Sequence, residues 1–148
     1  MLLRDIVGQK EVKDRLIKMV NENRLPHALL FTGYEGSGNL GTAMAFAQYL
    51  FCSNKQNNDA CGECPSCQKT NKLVHPDLHL VFPIAKSKDV KSSADLIKEF
   101  REAFLENPYL SLNDWFEGLD AENKQPIIPV EESGNIIREL SYTSYEGL

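Results

Sequence analysis

The sequence predicts an α/β domain, and three observations carry that expectation. The apolar run Ala28-Leu29-Leu30-Phe31 has the pattern of a buried parallel strand. A glycine-rich loop from Gly33 to Thr42 follows at once, and Ala43 to Phe51 is composed of strong helix formers. Four cysteines come next, Cys52, Cys61, Cys64 and Cys67, three of them in two overlapping C-x₂-C steps.

In chain order, Val12, Leu16, Met19 and Val20 recur at helical spacing opposite Lys10, Glu11, Lys13, Asp14 and Lys18, which predicts an amphipathic helix over about 9–21. Pro26 closes that unit before the strand. After the loop and its helix, the polar residues 53–60 read as an exposed loop. Pro65 suits the first turn of a short helix running to about Leu73, and His75-Pro76-Asp77 makes a turn into a strand from Leu78 to Phe82. Leu96, Ile97, Phe100, Ala103 and Phe104 define a further helix stopped by Asn107-Pro108. Trp115, Phe116 and Leu119 fall in a looser acidic segment, and residues 85–125 read as insertion material over a core. Pro126 and Pro129 flank Ile127-Ile128 and argue against a central strand there. The last helix contains Ile136, Ile137 and Leu140, with Ser133 as its expected cap.

A chain of 148 residues, 42% hydrophobic and 25% charged, is one domain or part of one. Its net charge of −5 excludes a nucleic-acid binder that works through global positive charge, so any DNA contact is local or made by partners. No apolar run approaches the roughly 20 residues that span a bilayer. The first residues also lack the apolar core of a signal peptide. A cytoplasmic protein is expected.

The loop has the glycines of a phosphate-binding P-loop and lacks its lysine. In GxxxxGK[ST], backbone N–H groups cradle phosphates, the lysine reaches the β and γ phosphates, and the hydroxyl holds Mg²⁺. Gly33 and Gly38 fit, but Asn39 stands for the lysine and Leu40 for the hydroxyl. A frame shifted to Gly36 and Gly41 places Thr42 where the lysine belongs, and no lysine occurs between Lys18 and Lys55. The scaffold is thus read as kept and the phosphate chemistry as lost; a glycine-rich turn unrelated to nucleotides is the plainer alternative.

Four cysteines in a cytosolic chain point to a metal rather than to disulfides. Cys52, Cys61, Cys64 and Cys67 can close a tetrahedral thiolate cage, the arrangement Zn²⁺ favours in structural sites, and four protein ligands leave no open position for catalysis. His75 and His79 lie close enough in sequence to replace a ligand. For other residues packing is the simpler reading: His27 before the apolar strand, His75 with Asp77 in a turn, and Trp115 with Phe116 in a core or an interface.

Together these segments resemble the N-terminal AAA+ domain of bacterial DNA polymerase III clamp-loader subunits, delta-prime and its relatives gamma and tau. The likeness rests on Asp5-Ile6-Val7-Gly8-Gln9, Arg24-Leu25-Pro26-His27-Ala28-Leu29-Leu30-Phe31, the loop from Gly33, the cysteine spacing, His75-Pro76-Asp77 and Ile137-Arg138-Glu139-Leu140. It implies a partial P-loop NTPase with a Rossmann-like sheet and a zinc knuckle over about 52–73. It also implies that Val7 and Gly8 lie where nucleotide-binding subunits hold adenine. Gamma-like subunits keep the lysine and hydrolyse ATP; Asn39 and Leu40 align this chain with delta-prime, a noncatalytic subunit that helps partner ATPases load a sliding clamp onto primed DNA. No intrinsic ATPase is then expected, although loop N–H groups could still hold a phosphate weakly. The implied partners are gamma/tau and delta, with the clamp and primed DNA reached through the complex. The alternatives are an ATP-hydrolysing gamma/tau-like subunit and an unrelated zinc-binding interaction module. The Walker B strand, lid and collar domain of the family do not appear by Leu148, so the 148 residues read as an N-terminal part, expected to self-associate through uncovered sheet edges and helix faces.

Overall fold

The computed structural model describes residues 1–119 and 125–142. The chain divides into two compact units, Met1–His75 and Pro76–Leu148.

In the first unit, α1 (Lys10–Asn21) turns Leu16 inward and leaves its lysines outside. The chain before it makes a 3₁₀ turn, Leu3–Asp5. Lys13 clamps the two together, its Nζ donating to the carbonyls of Leu3 at 3.2 Å and Ile6 at 2.8 Å. Helix α2 (Asn39–Phe51) begins behind Gly38, whose φ of +79° is open to glycine without a Cβ penalty. This helix buries Gly41, Thr42, Met44, Ala45, Phe46, Gln48 and Tyr49, and so is covered on most of its circumference. Leu3, Ile6, Leu16, Ala45, Phe46 and Tyr49 form the core, with Ile17, Met19, Val20, Phe31 and Leu50 packed on it. A short helix, α3 (Pro65–Asn71), packs on α2; Cys64 is its N-cap and Pro65 its first residue.

The expected strands did not form. Among the described residues the only β pairings are two isolated bridges, Gln56 with Asp59 and Ile84 with Ile127. Residues 28–31 and 78–82 have no ladder. A strand exists through its hydrogen-bonded neighbour, and among the described residues neither run has a β partner. Leu30 is accordingly 88% exposed, and of the first run only Phe31 reaches the core. The described residues are therefore helical, and the Rossmann-like sheet expected from the sequence is absent among them.

In the second unit, a 3₁₀ turn (Ser93–Leu96) leads into α4 (Ile97–Glu106), followed by α5 (Leu112–Gly118) and α6 (Glu131–Leu140). Its core is aromatic. Phe82 stacks on Phe100 at 4.2 Å between centroids, and Trp115 meets both rings edge-on at 5.2 and 5.3 Å. The Trp115 indole N–H donates to Pro83 O at 2.8 Å, so its polar edge is satisfied where it is buried. Ser93 ties the 3₁₀ turn to Phe82 by accepting from Phe82 N–H at 3.2 Å and donating to Phe82 O at 3.1 Å.

Two expectations need correction here. The looser segment around Trp115 is a helix, started by a capping box in which Ser111 accepts from Asp114 N–H and Asp114 accepts from Ser111 N–H, both at 3.0 Å. Ser133 is not a cap: α6 starts at Glu131, and the Ser133 hydroxyl instead donates to Val130 O at 2.7 Å. The end of the expected insertion (120–124) and the tail from 143 lie outside the described residues. No helix among the described residues is long and apolar enough to cross a membrane.

Candidate metal centre and glycine loop

The C-terminal end of α2 delivers Cys52, and the polar loop then returns the chain so that Cys61, Cys64 and the first turn of α3 bring the other sulfurs to it. The four Sγ atoms lie within 4.8 Å of one another, and all four cysteines are free. Cys52 and Cys61 sulfurs are 3.6 Å apart, and Cys61 and Cys67 sulfurs 3.9 Å. A tetrahedral zinc with bonds of about 2.3 Å needs its sulfurs about 3.8 Å apart, so the thiols present fit that ion. Gly62, at φ +81°, makes the turn between Cys61 and Cys64.

Backbone donors are aimed at the sulfurs. Cys61 N–H reaches the Cys52 sulfur at 3.3 Å, Cys64 N–H the Cys61 sulfur at 3.3 Å, and Cys67 N–H the Cys64 sulfur at 3.5 Å. The balance of hydrogen bonding against burial divides the thiols into two pairs. N–H groups of Glu63 and Cys64 lower the pKa of Cys61. Burial opposes ionisation of Cys64, but bonds from Cys67 N–H and Ser53 outweigh it and bring that thiol down to about 6. Burial raises Cys52, and pushes Cys67 up to about 12. Cys67 is wholly buried, so near neutral pH its sulfur stays protonated unless a cation lies beside it.

Asp59 supports this loop and has no counterpart in the sequence reading. Its carboxylate is buried and accepts from Leu3 N–H at 3.1 Å, Arg4 N–H at 3.0 Å and Ala60 N–H at 2.8 Å. It thereby joins the cysteine loop to the start of the chain. No periodicity or motif singles out an aspartate after Asn57-Asn58, so nothing local could have found it. Neither histidine joins the sulfurs: His75 is buried and stacked on Phe51 at 4.2 Å, while His79 pairs with Glu139 at 3.7 Å in the second unit.

The glycine loop is closed by its own side chains. A methyl placed on Gly33 would stand 2.5 Å from Asn39 Oδ1 and 2.6 Å from Ser37 Oγ, so these two groups lie directly over its Cα. They bond to each other, Ser37 Oγ donating to Asn39 Oδ1 at 2.7 Å. Gly36 and Gly38 take φ of +73° and +79°. Gln9 Nε2 donates to Ser37 O at 3.2 Å, which brings the Val7-Gly8-Gln9 segment to the loop; Gly8 has φ +68° and Val7 is 80% exposed. Leu40 is half-buried in the first turn of α2. A cavity of about 600 Å³ adjoins the loop, walled by Gln9, Leu16, Phe31, Gly33, Tyr34 and Asn39. Its cation is Arg15 of α1, so the loop itself contributes none.

A model of the family described as DNA polymerase III, delta subunit, matches residues 8–115. The chain belongs to that family. The stretch matched to the delta-subunit family takes in the glycine loop, all four cysteines and α4. Among its relatives, DNA polymerase III subunit delta' of Bacillus subtilis (strain 168) is 34% identical over 67% of this chain and 30% of its own length. Subunit delta' of Escherichia coli (strain K12) is 30% identical over 66% of this chain and 28% of its own length. DNA polymerase III subunit tau/gamma of Haemophilus influenzae is 39% identical over 63% of this chain and 13% of its own length. The chain thus spans less than a third of the length of these curated relatives. No solved structure matches it.

Proposed function

We propose that this chain is the N-terminal, zinc-binding part of a noncatalytic clamp-loader subunit of delta-prime type, acting in DNA replication in the cytoplasm with gamma/tau and delta to place a sliding clamp on primed DNA. The observation that carries the reading is Asn39. At the position where an ATP-hydrolysing relative needs a cation, an amide bends back over Gly33 and bonds to Ser37. Several phosphate charges would then face no lysine, and Leu40 has no oxygen for Mg²⁺. Relatives named delta' and gamma/tau both match, so the choice between subunit types rests on this loop.

Cys52, Cys61, Cys64 and Cys67 would hold the zinc. With all four positions filled by thiolates the ion supplies cross-linking of α2 to α3 and no chemistry of its own. The chain's residues do the rest: N–H groups of the turn stabilise sulfur charge, and Asp59 fixes the loop against Leu3 and Arg4.

The test is an ATPase assay on the full-length protein, repeated on the double variant Asn39→Lys with Leu40→Thr. No hydrolysis above background is expected from the natural sequence. Turnover at ordinary ATPase rates, on the order of 1 s⁻¹ or more, would mark an active gamma/tau-like subunit instead.

A further inference from the structure

Gln48 lies on α2, four residues before Cys52 and so on the same helix face. It is 1% exposed. Its Oε1 accepts from the Met1 backbone nitrogen at 3.0 Å. As an ammonium that nitrogen only donates, so the oxygen of the amide faces it and the NH₂ faces the other way. That Nε2 is buried with no hydrogen-bond partner. What it faces is Cys67, whose ionised form the Gln48 amide favours. Cys67 is wholly buried in the first turn of α3, the helix that packs on α2.

An orphaned amide donor in a protein interior costs about 1–3 kcal/mol, and glutamine is rarely kept in such a place without an acceptor. A thiol sulfur is a weak acceptor, whereas a thiolate is a strong one. We propose that Gln48 is a positioning residue of the metal centre, its Nε2–H donating to the Cys67 sulfur when that sulfur is a metal-bound thiolate. The inference rests on the zinc reading above. It adds a partner that the cysteine spacing does not reveal. Cys52, Cys61 and Cys64 each receive a backbone N–H from the cysteine turn. Cys67, the most deeply placed ligand, has the Gly62 N–H of that turn and, beyond it, the Gln48 side chain on the neighbouring helix. The bond also spreads the charge of four sulfurs around one divalent ion.

The test is chelator competition for Zn²⁺, with the absorption spectrum of the Co²⁺ form as a second readout, on the whole chain and on two variants. Gln48→Met keeps the length of the side chain and removes the donor. It is expected to keep its helical circular dichroism, to bind zinc about 10- to 100-fold more weakly, and to shift the cobalt–thiolate charge-transfer band. Gln48→Glu keeps the acceptor for Met1, loses the donor and adds an anion, and is expected to lose more affinity than Gln48→Met. A Gln48→Met protein that folds and binds zinc as tightly as the natural one, with an unchanged cobalt band, overturns the proposal. If Gln48→Met fails to fold, Gln48→Glu decides: unchanged zinc affinity overturns the proposal and weaker binding supports it. A natural chain that takes up neither metal overturns the zinc reading itself, and the proposal with it.

Discussion

Asn39, Gly38 and Asp59 show how single residues set the two sites. Asn39 was readable as a missing lysine, but its fold back onto Gly33 was not, because a side-chain direction has no signature in spacing. Gly33→Ala would push Ser37 and Asn39 outward and break their bond, a loss of about 1 kcal/mol. Gly38→Ala forces a Cβ into left-handed backbone at φ +79° and costs about 1–2 kcal/mol. Both are measurable as urea midpoints, and equal stability of Gly38→Ala and the natural chain would contradict the backbone described. Asp59→Ala leaves the N–H groups of Leu3, Arg4 and Ala60 without an acceptor and is expected to destabilise the first unit by about 3 kcal/mol or more. The four cysteines were fully legible from their spacing, since C-x₂-C steps constrain sulfur positions whatever the surrounding fold does.

At the scale of elements, the helices carried their own evidence and the strands did not. The periodicity of Val12, Leu16, Met19 and Val20 and the Pro65 start each specify a helix locally, and α1 and α3 sit where those signals place them. Ala28–Phe31 and Leu78–Phe82 needed partners elsewhere in the chain, which local pattern cannot supply. Helix α5 was missed although Ser111-Leu-Asn-Asp114 is a capping box; acidic composition hid a signal that was present. Asp95 and Asp114 both have lowered pKa values, held down by the backbone N–H groups of Lys91 and Ser92 in one case and of Ser111 in the other. A carboxylate depressed by folding stabilises at neutral pH. That contribution is lost as pH falls from the ordinary value of 3.8 through the lowered one, so helical signal from the second unit is expected to fray in that window. Trp115→Ala removes the ring that holds Phe82 and Phe100 and should cost about 3–5 kcal/mol in that unit.

For the whole molecule, metal uptake, association and nucleotide binding are the properties that matter. Cys52 and Cys67 are protonated near neutrality, because burial raises both. On the proposed zinc reading, uptake at pH 7 would release at least these two protons, and zinc affinity would rise with pH through the neutral range. A calorimetric titration in buffers of different ionisation enthalpy measures that number; release of none would contradict the buried thiols. Leu30 in the first unit and Val130, Ile137 and Leu140 in the second are 70–88% exposed, apolar side chains that a second copy or a partner could cover. Concentration-dependent association in sedimentation is expected, and a monomer over the whole accessible range would contradict it. The central claim concerns the glycine loop, and the direct measurement is Mg-ATP binding to this chain by isothermal titration calorimetry. The closed loop predicts no binding tighter than about 1 mM; a micromolar affinity that Gly38→Val abolishes would show a working phosphate site and contradict the account.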